Sequence, residues 1–548
     1  MRTQPLALAV LAALIWLPPA PVRAQAGVQG GVQVGALTTI GSAQEDRLRL
    51  AQLTDSANTA GFLIRTAGTL SVSSLVCHPA SAVCRPQFFV IAPELSTTWN
   101  SRIPLSLNDG SMWAGRGAST LVRAGFALFT RKWISLIVAP EFTYSQNLGF
   151  EVMPGTAPGR SAWSSPWHTG NQSADLPLRF GSEPWALVSP GQSSLTIHFG
   201  AIDLGASSEN QWWGPGVRNA LLISNQAEGV PHLFLRSAHP IATRAGDFEW
   251  RIIAGALTES IYFDTIPSNN SRSLSGFVVT FRPAANRDLT LGVARIVVAP
   301  ASGPGSTLQG AFNAFSKWHP SELSASRIAS RTDSLKGDQM MSLFGRWIFP
   351  KDHFEFYFEW AKSALPRSLR DLVIAPQDAQ GYTLGLQWAI PVRETKAAVR
   401  VQAEATNVEQ SLVFANHPVP DYYTGSTTAQ GFTQRGQLLG ASVGPGGQSQ
   451  WFATDYMARD WSMGVMLQRI RWEDNAFYRQ PIPNFFRHDV TLMAGVRGTL
   501  RTRAYDFSAS IAANPRYSYL FQEGFANPGR RRTIDVPNLT ITFGAAAR

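Results

Sequence analysis

His353-Phe354-Glu355-Phe356-Tyr357-Phe358-Glu359-Trp360-Ala361 alternates without a break: Phe354, Phe356, Phe358 and Trp360 fall on one face, Glu355, Tyr357 and Glu359 on the other. A period of two is the strand signature, whereas a helix would scatter these residues around its circumference. From Tyr382 to Ile390 the pattern returns, with Tyr382, Leu384, Leu386, Trp388 and Ile390 opposite Thr383, Gly385 and Gln387. Val399, Val401 and Ala403 oppose Arg400, Gln402 and Glu404; Tyr505, Phe507, Ala509 and Ile511 oppose Asp506, Ser508 and Ser510; Leu539, Ile541 and Phe543 oppose Thr540 and Thr542. The polar faces fit either the wet side of a soluble β-sandwich or the lumen of a membrane barrel.

Three features favour the barrel. The runs approach the nine to eleven residues needed to cross a bilayer. Trp360, Tyr382 and Tyr505 stand near run ends, where interface girdles form. Connections alternate short (130–132, 350–352, 392–395, 501–503) with long (144–194, 205–247, 299–339, 362–379, 513–535), as periplasmic turns and external loops do. An open sheet edge cannot be satisfied in lipid, so the sheet must close. The expected fold is an all-β, antiparallel transmembrane barrel over residues 86–548, of about 16 to 18 strands. Strand parity does not close between residues 407 and 488.

Outside the barrel, Arg2 precedes an uncharged run from Leu6 to Leu17 and a Val22-Arg23-Ala24 ending, the pattern of a secretory signal over residues 1–24. Residues 25–85 read as a small N-terminal periplasmic segment. Within it Ser42-Ala43-Gln44-Glu45 has capping-box spacing and opens a short helix. Cys77 and Cys84 in an exported chain favour a disulfide over a metal role with His78. Of the 548 residues, 44% are hydrophobic and only 15% charged, which excludes an extended disordered chain. Without Arg2 and Arg23 the chain keeps 45 basic against 37 acidic residues, an excess that favours an anionic partner. Export excludes nucleic acid from that role. Outer-membrane lipid and acidic polysaccharide remain, with the chain expected as a monomer in the cell outer membrane.

Three clusters carry candidate function. The densest is Ser208-Glu209-Asn210-Gln211-Trp212-Trp213-Gly214-Pro215-Gly216. Flat rings beside carboxylate and amides suit the C–H faces and hydroxyls of sugars, although a girdle aromatic beside a turn gives the same composition. The second runs from Trp99 to Pro104 and through Asn108-Asp109-Gly110-Ser111-Met112-Trp113-Ala114-Gly115-Arg116-Gly117, and the third from Gln430 to Gly447.

Across these clusters the chain resembles the capsule assembly protein Wzi family of outer-membrane proteins. The match takes in Asn100-Ser101, Asn108-Asp109-Gly110, Trp113, Gly115-Arg116-Gly117, Ala139-Pro140-Glu141 and Pro190-Gly191-Gln192-Ser193. It continues through Glu209 to Gly216, Leu222-Ile223-Ser224-Asn225, Asp338-Gln339, Leu343 to Trp347, Gly381 to Gln387 and Arg435-Gly436-Gln437-Leu438-Leu439-Gly440. The resemblance implies about 18 strands, a small helical segment at the periplasmic side, and a lectin-like attachment site for capsular polysaccharide without catalysis. The polysaccharide-binding candidates are Asp109, Trp113, Arg116, Glu209, Asn210, Trp212, Trp213, Arg435 and Gln437.

Other functions leave weaker traces. His-Glu-x-x-His and phosphate-cradling loops are missing from the sequence, and no catalytic residue, cofactor or metal is expected. His198, on a run read as one strand from Leu195 to Leu204, is the first suspect if a Ser-His-carboxylate set exists; a hydrogen-bonded lumen His is the commoner role. A general porin or carbohydrate channel is the main rival. It needs an open path, whereas Glu249, Arg251, Glu355, Glu359, Arg400, Glu404, Arg497 and Asp506 alternate with apolar neighbours and point to a filled, two-signed lumen.

Overall fold

The computed structural model describes residues 33–54, 62–75, 87–130, 133–152, 159–170, 173–316, 337–363, 369–392, 395, 397–410, 421–479, 487–521, 523–527 and 530–547. The signal sequence and the Cys77–Cys84 pair lie outside them. Eighteen antiparallel strands close on themselves. They are β1 (Gln87–Asn100), β2 (Gly117–Thr130), β3 (Ile134–Val138 with Glu141–Ser145), β4 (Trp185–Ser189 with Ser194–Phe199), β5 (Ile202–Ser207) and β6 (His232–Ser237 with Ile241–Ala242). Then come β7 (Gly246–Thr258), β8 (Ser271–Pro283), β9 (Leu289–Pro300), β10 (Asp338–Phe349), β11 (Phe354–Lys362) and β12 (Gln380–Pro391). The wall finishes with β13 (Ala398–Asn407), β14 (Gln448–Met457), β15 (Trp461–Trp472), β16 (Asp489–Arg501), β17 (Tyr505–Ala513 with Arg516–Tyr517) and β18 (Leu539–Ala547). β18 pairs with β1 in register Thr540↔Asn100 and Thr542↔Thr98, so no edge is left open.

The alternation sets the faces. Phe356, Leu384, Trp388 and Ile541 are exposed on the outside, while Glu355, Tyr357, Glu359, Gln387 and Arg400 are buried in the lumen. No described helix is long and apolar enough to cross a membrane; the strands cross. Phe88, Trp133, Trp347, Trp388, Trp461 and Tyr505 are exposed at the short-turn rim, as an interface girdle requires.

Two sequence expectations need correction. The stretch 205–247 is not one loop, because His232–Ser237 forms most of β6 and pairs with both β5 and β7. The run from Leu195 to Leu204 is a hairpin that turns at Gly200-Ala201. Strand parity between 407 and 488 closes with β14 and β15, and residues 421–447, before β14, turn inward.

The N-terminal segment lies inside the wall. Helix α1 (Ala43–Thr54) starts where the capping box places it: Ser42 Oγ accepts from the Glu45 N–H at 3.2 Å, and Glu45 Oε2 from the Gly41 N–H at 2.5 Å. Its Arg49 reaches Glu355 of β11 at 2.7 Å and its Asp46 reaches Arg400 of β13 at 2.9 Å. Farther along, Ile64–Thr66 pairs antiparallel with Gln211–Trp213 of an inward loop and leads into α2 (Ala67–Leu75).

Candidate functional site

Residues 208–231 and 421–447 fold into the lumen and build a hydrophobic core there. Trp213, Leu221, Leu222, Tyr422, Tyr423, Phe432, Leu438 and Leu439 pack against Phe234, Ile253, Val278 and Phe344 of the wall, all almost fully buried. Wall carboxylates hold the loop backbone. Glu404 accepts from the Val217 N–H at 2.6 Å, Arg218 at 3.0 Å and Asn219 at 2.8 Å, and from Tyr357 Oη at 2.9 Å. Glu359 accepts from the Leu221 N–H at 3.0 Å, and Asp338 takes the N–H groups of Ser426 to Thr428. Tyr357 lies so close over β12 that a Cβ at Gly385 would meet its ring at 2.1 Å. The lumen is therefore a packed core over much of its section.

This core absorbs most of the residues singled out in sequence. Trp212 and Trp213 are 2% and 0% exposed. Trp212 carries the Arg65 guanidinium over its ring at 4.7 Å, and Trp213 Nε1 donates to Gln211 Oε1 at 3.0 Å. Glu209 accepts from the Gly68 N–H in the first turn of α2 and from Ser207 Oγ, and burial pushes its carboxyl above the usual range. Asn210 accepts from Gln192 and donates to the Ala227 carbonyl, while Gln437 donates to the Gln226 carbonyl at 3.2 Å. Glu209, Asn210, Trp212, Trp213 and Gln437 thus fasten the inward loops to each other and to the N-terminal segment, out of reach of a polymer outside. Asp109 closes its own turn, accepting from Ser106 Oγ and the Leu107 N–H, and burial lifts it to about 6. Arg116 donates to the carbonyls of Ser101 and Gly149.

Two of the sequence candidates stand elsewhere, at the long-loop end. Trp113 packs on Phe180 with ring centroids 4.7 Å apart. Phe180 in turn meets Trp185 at 5.8 Å and Tyr262 edge-on at 5.7 Å. Arg435 heads a tight hairpin (Thr433–Gln434 with Gln437–Leu438) whose Gly436, at φ 82°, lies so near Pro177 and Phe180 that a Cβ there would come within 3.1 Å of both. Its side chain is 43% exposed and pairs with Glu228 at 3.1 Å. Phe180, Trp185 and Tyr262 were missed in the sequence, where Phe180 and Trp185 stand five residues apart at the entry to β4 and Tyr262 lies far off, just past β7. Trp113 is buried beneath, while the partly exposed rings of Phe180, Trp185 and Tyr262 can cover sugar C–H faces and the accessible guanidinium can take a carboxylate in bidentate fashion.

His198 does meet a serine and a carboxylate in the lumen: Ser135 Oγ lies 2.7 Å from Nε2 and Asp203 Oδ1 2.6 Å from Nδ1. Asp203 also pairs with Arg236 at 3.0 Å, which makes a cross-strand ladder of four polar side chains. Among the described residues no group of His, Cys, Asp and Glu could hold a metal ion.

The family model of the capsule assembly protein Wzi matches residues 106–474. Among solved structures, the chain is similar to Wzi of Escherichia coli, described as an outer-membrane, carbohydrate-binding β-barrel involved in group 1 capsule assembly. Identity is 14%, the alignment covers 83% of this chain and 84% of that one, and the TM-score is 0.51. OccAB2 of Acinetobacter baumannii aligns at 8% identity over 83% of this chain and 98% of its own, with a TM-score of 0.39. None of the curated proteins matches the chain.

Proposed function

The chain belongs to the capsule assembly protein Wzi family, and on that premise we propose that it holds acidic capsular polysaccharide at the cell surface. It does so as a monomeric, non-catalytic, lectin-like barrel of the outer membrane, after loss of residues 1–24 on export. The observation that carries this reading is the cluster of Trp113, Phe180, Trp185 and Tyr262 beside Arg435, set at the long-loop end above a lumen closed by its own core. A general porin has no use for that core.

Retention of a polymer does not require a tight monovalent site. Repeated weak contacts along one glycan raise the effective concentration, so millimolar contacts suffice. Tyr262 and Phe180 offer ring area, and Arg435 offers a fork for uronate or pyruvyl carboxylates. The buried candidates Glu209, Asn210, Trp212, Trp213 and Gln437 act beneath, by fixing the loops that present the cluster. Tyr262→Ala and Arg435→Gln should leave the barrel heat-modifiable on gels while polymer moves from the cells to the medium. Unchanged retention in both variants would remove the cluster from the reading.

A further inference from the structure

The inward loops do not fill the lumen evenly. Between them and the wall strands β15 to β18 and β1 lies a cavity of about 500 Å³, bounded also by the N-terminal turn of α1. The wall side is built of small residues, among them Ser462, Thr499, Ser508, Ser510, Thr542 and Gly544. At one end it reaches Asp506 and Ala546 at the short-turn rim, which faces the periplasm in barrels of this kind. At the other it stops under Asn108 and Arg218 of the inward loops. The volume falls within the roughly 300–1,000 Å³ of small-molecule sites.

Most charges on its surface are paired. Arg65 meets Glu45, Arg123 meets Glu94 and Glu141, and Arg400 and Arg497 share Asp455. Arg218 differs. Its backbone is fixed by Glu404, yet its guanidinium, whose Nε is buried without an acceptor, makes no ion pair within 4 Å among the described residues; Glu404, Asp109 and Asp46 attract it only from farther off. It lies 5.6 Å from the ring centroid of Trp451, which Arg497 flanks at 5.3 Å. Around it, Arg65 Nε and Arg400 Nη1 are buried donors without acceptors, and the Oδ1 atoms of Asn108 and Asn225 are buried acceptors without donors. Arg65, Arg400 and Asn225 are each more than nine-tenths buried. Orphaned polar groups at such depth call for a partner. Mixed donors and acceptors, a wall of hydroxyls and one lone guanidinium suit a polyhydroxylated molecule with a single acid.

We propose that this cavity is a periplasm-facing binding site for a sugar acid, a hexuronate or a short oligomer of one, with its carboxylate on Arg218 and its hydroxyls on Asn108, Asn225 and the Ser/Thr wall. The site is separate from the surface cluster and does not rest on the surface reading. Polymer release by Tyr262→Ala cells tests the surface, and ligand binding to purified protein tests the cavity, so either can fail alone.

The test is calorimetric titration of the full chain in detergent with D-glucuronate, and with D-glucose as the acid-free probe. Saturable glucuronate binding is expected, with glucose weaker. Arg218→Gln keeps the backbone bonds to Glu404 and should weaken glucuronate by about tenfold or more, the loss of a charge-assisted pair. Ser510→Phe fills the cavity from the wall and should weaken it as much, which keeps the test open if one variant misfolds. No saturable binding to the parent protein would mean a cavity of solvent alone. Glucuronate binding unchanged in either folded variant would equally overturn the proposal.

Discussion

Replacing Glu404 by Gln probes how the lumen is closed. Four donors converge on that carboxylate: three successive backbone N–H groups of the inward loop and the Tyr357 hydroxyl, at 2.6 to 3.0 Å. An amide is nearly isosteric, but one of its two ends is itself a donor. Turned either way, it must abandon the Asn219 N–H or the Val217 N–H, since only the Tyr357 hydroxyl can reverse and accept from the amide. Hydrogen bonds to a charged partner are worth about 1.5–3 kcal/mol each, and a buried donor left unpaired adds its own desolvation. A loss of about 3 kcal/mol in loop anchoring follows, which multiplies the local opening constant by roughly a hundredfold. The wall ladder is untouched, so the barrel stays heat-modifiable. Hydrogen exchange by mass spectrometry should show protection lost across residues 217–221 and retained in β11 to β13. Equal protection of 217–221 in parent and variant would refute the claim that Glu404 anchors this loop.

Trp213→Ala empties the largest fully buried ring of the lumen core and should cost about 3–5 kcal/mol there. Discrete conductance steps in planar bilayers should appear where the parent is silent; a silent variant would place the closure elsewhere. Glu259 sits just past β7, where burial pushes its carboxyl up to about 7 while the bond from Gln430 opposes the rise. A raised carboxyl binds its proton more tightly in the folded state, so the folded loop that buries Glu259 is most stable below the ordinary value near 4.5 and loses stability as pH rises through about 7. Limited proteolysis within 261–270 should therefore quicken between pH 5 and pH 8, with the pH values set by that window. Glu259→Gln should flatten the profile, and a profile steep in both proteins would contradict the assignment.

Much of the wall was legible because its period is enforced by two solvents. Phe354 to Trp360 must face lipid with one set and the lumen with the other, and a slip of one residue would invert both. The lumen charges Arg251, Glu355, Arg400 and Glu404 were legible for the same reason. The α1 start was legible because a capping box is a local contact. His232–Ser237 was not, since six residues offer too few alternations against a polar, Gly-Pro-rich neighbourhood. Trp212 and Trp213 carry a strong compositional signal whose meaning is long-range. Their strand pairs with Ile64–Thr66, far back in the chain, and the rings are buried in two different clusters, Trp213 against the wall and Trp212 against the N-terminal segment. Phe180, Trp185 and Tyr262 had no local signal, because the cluster exists only once three connections meet.

The most direct measurement of the central claim is the partition of capsular polymer between cells and medium, in a strain whose only copy carries both Tyr262→Ala and Arg435→Gln. Outer-membrane content and heat-modifiable migration of the variant are matched to the parent. Polymer found mainly in the medium is the expected result. Polymer held on the cells as firmly as by the parent would contradict the claim that the aromatic and arginine cluster attaches it.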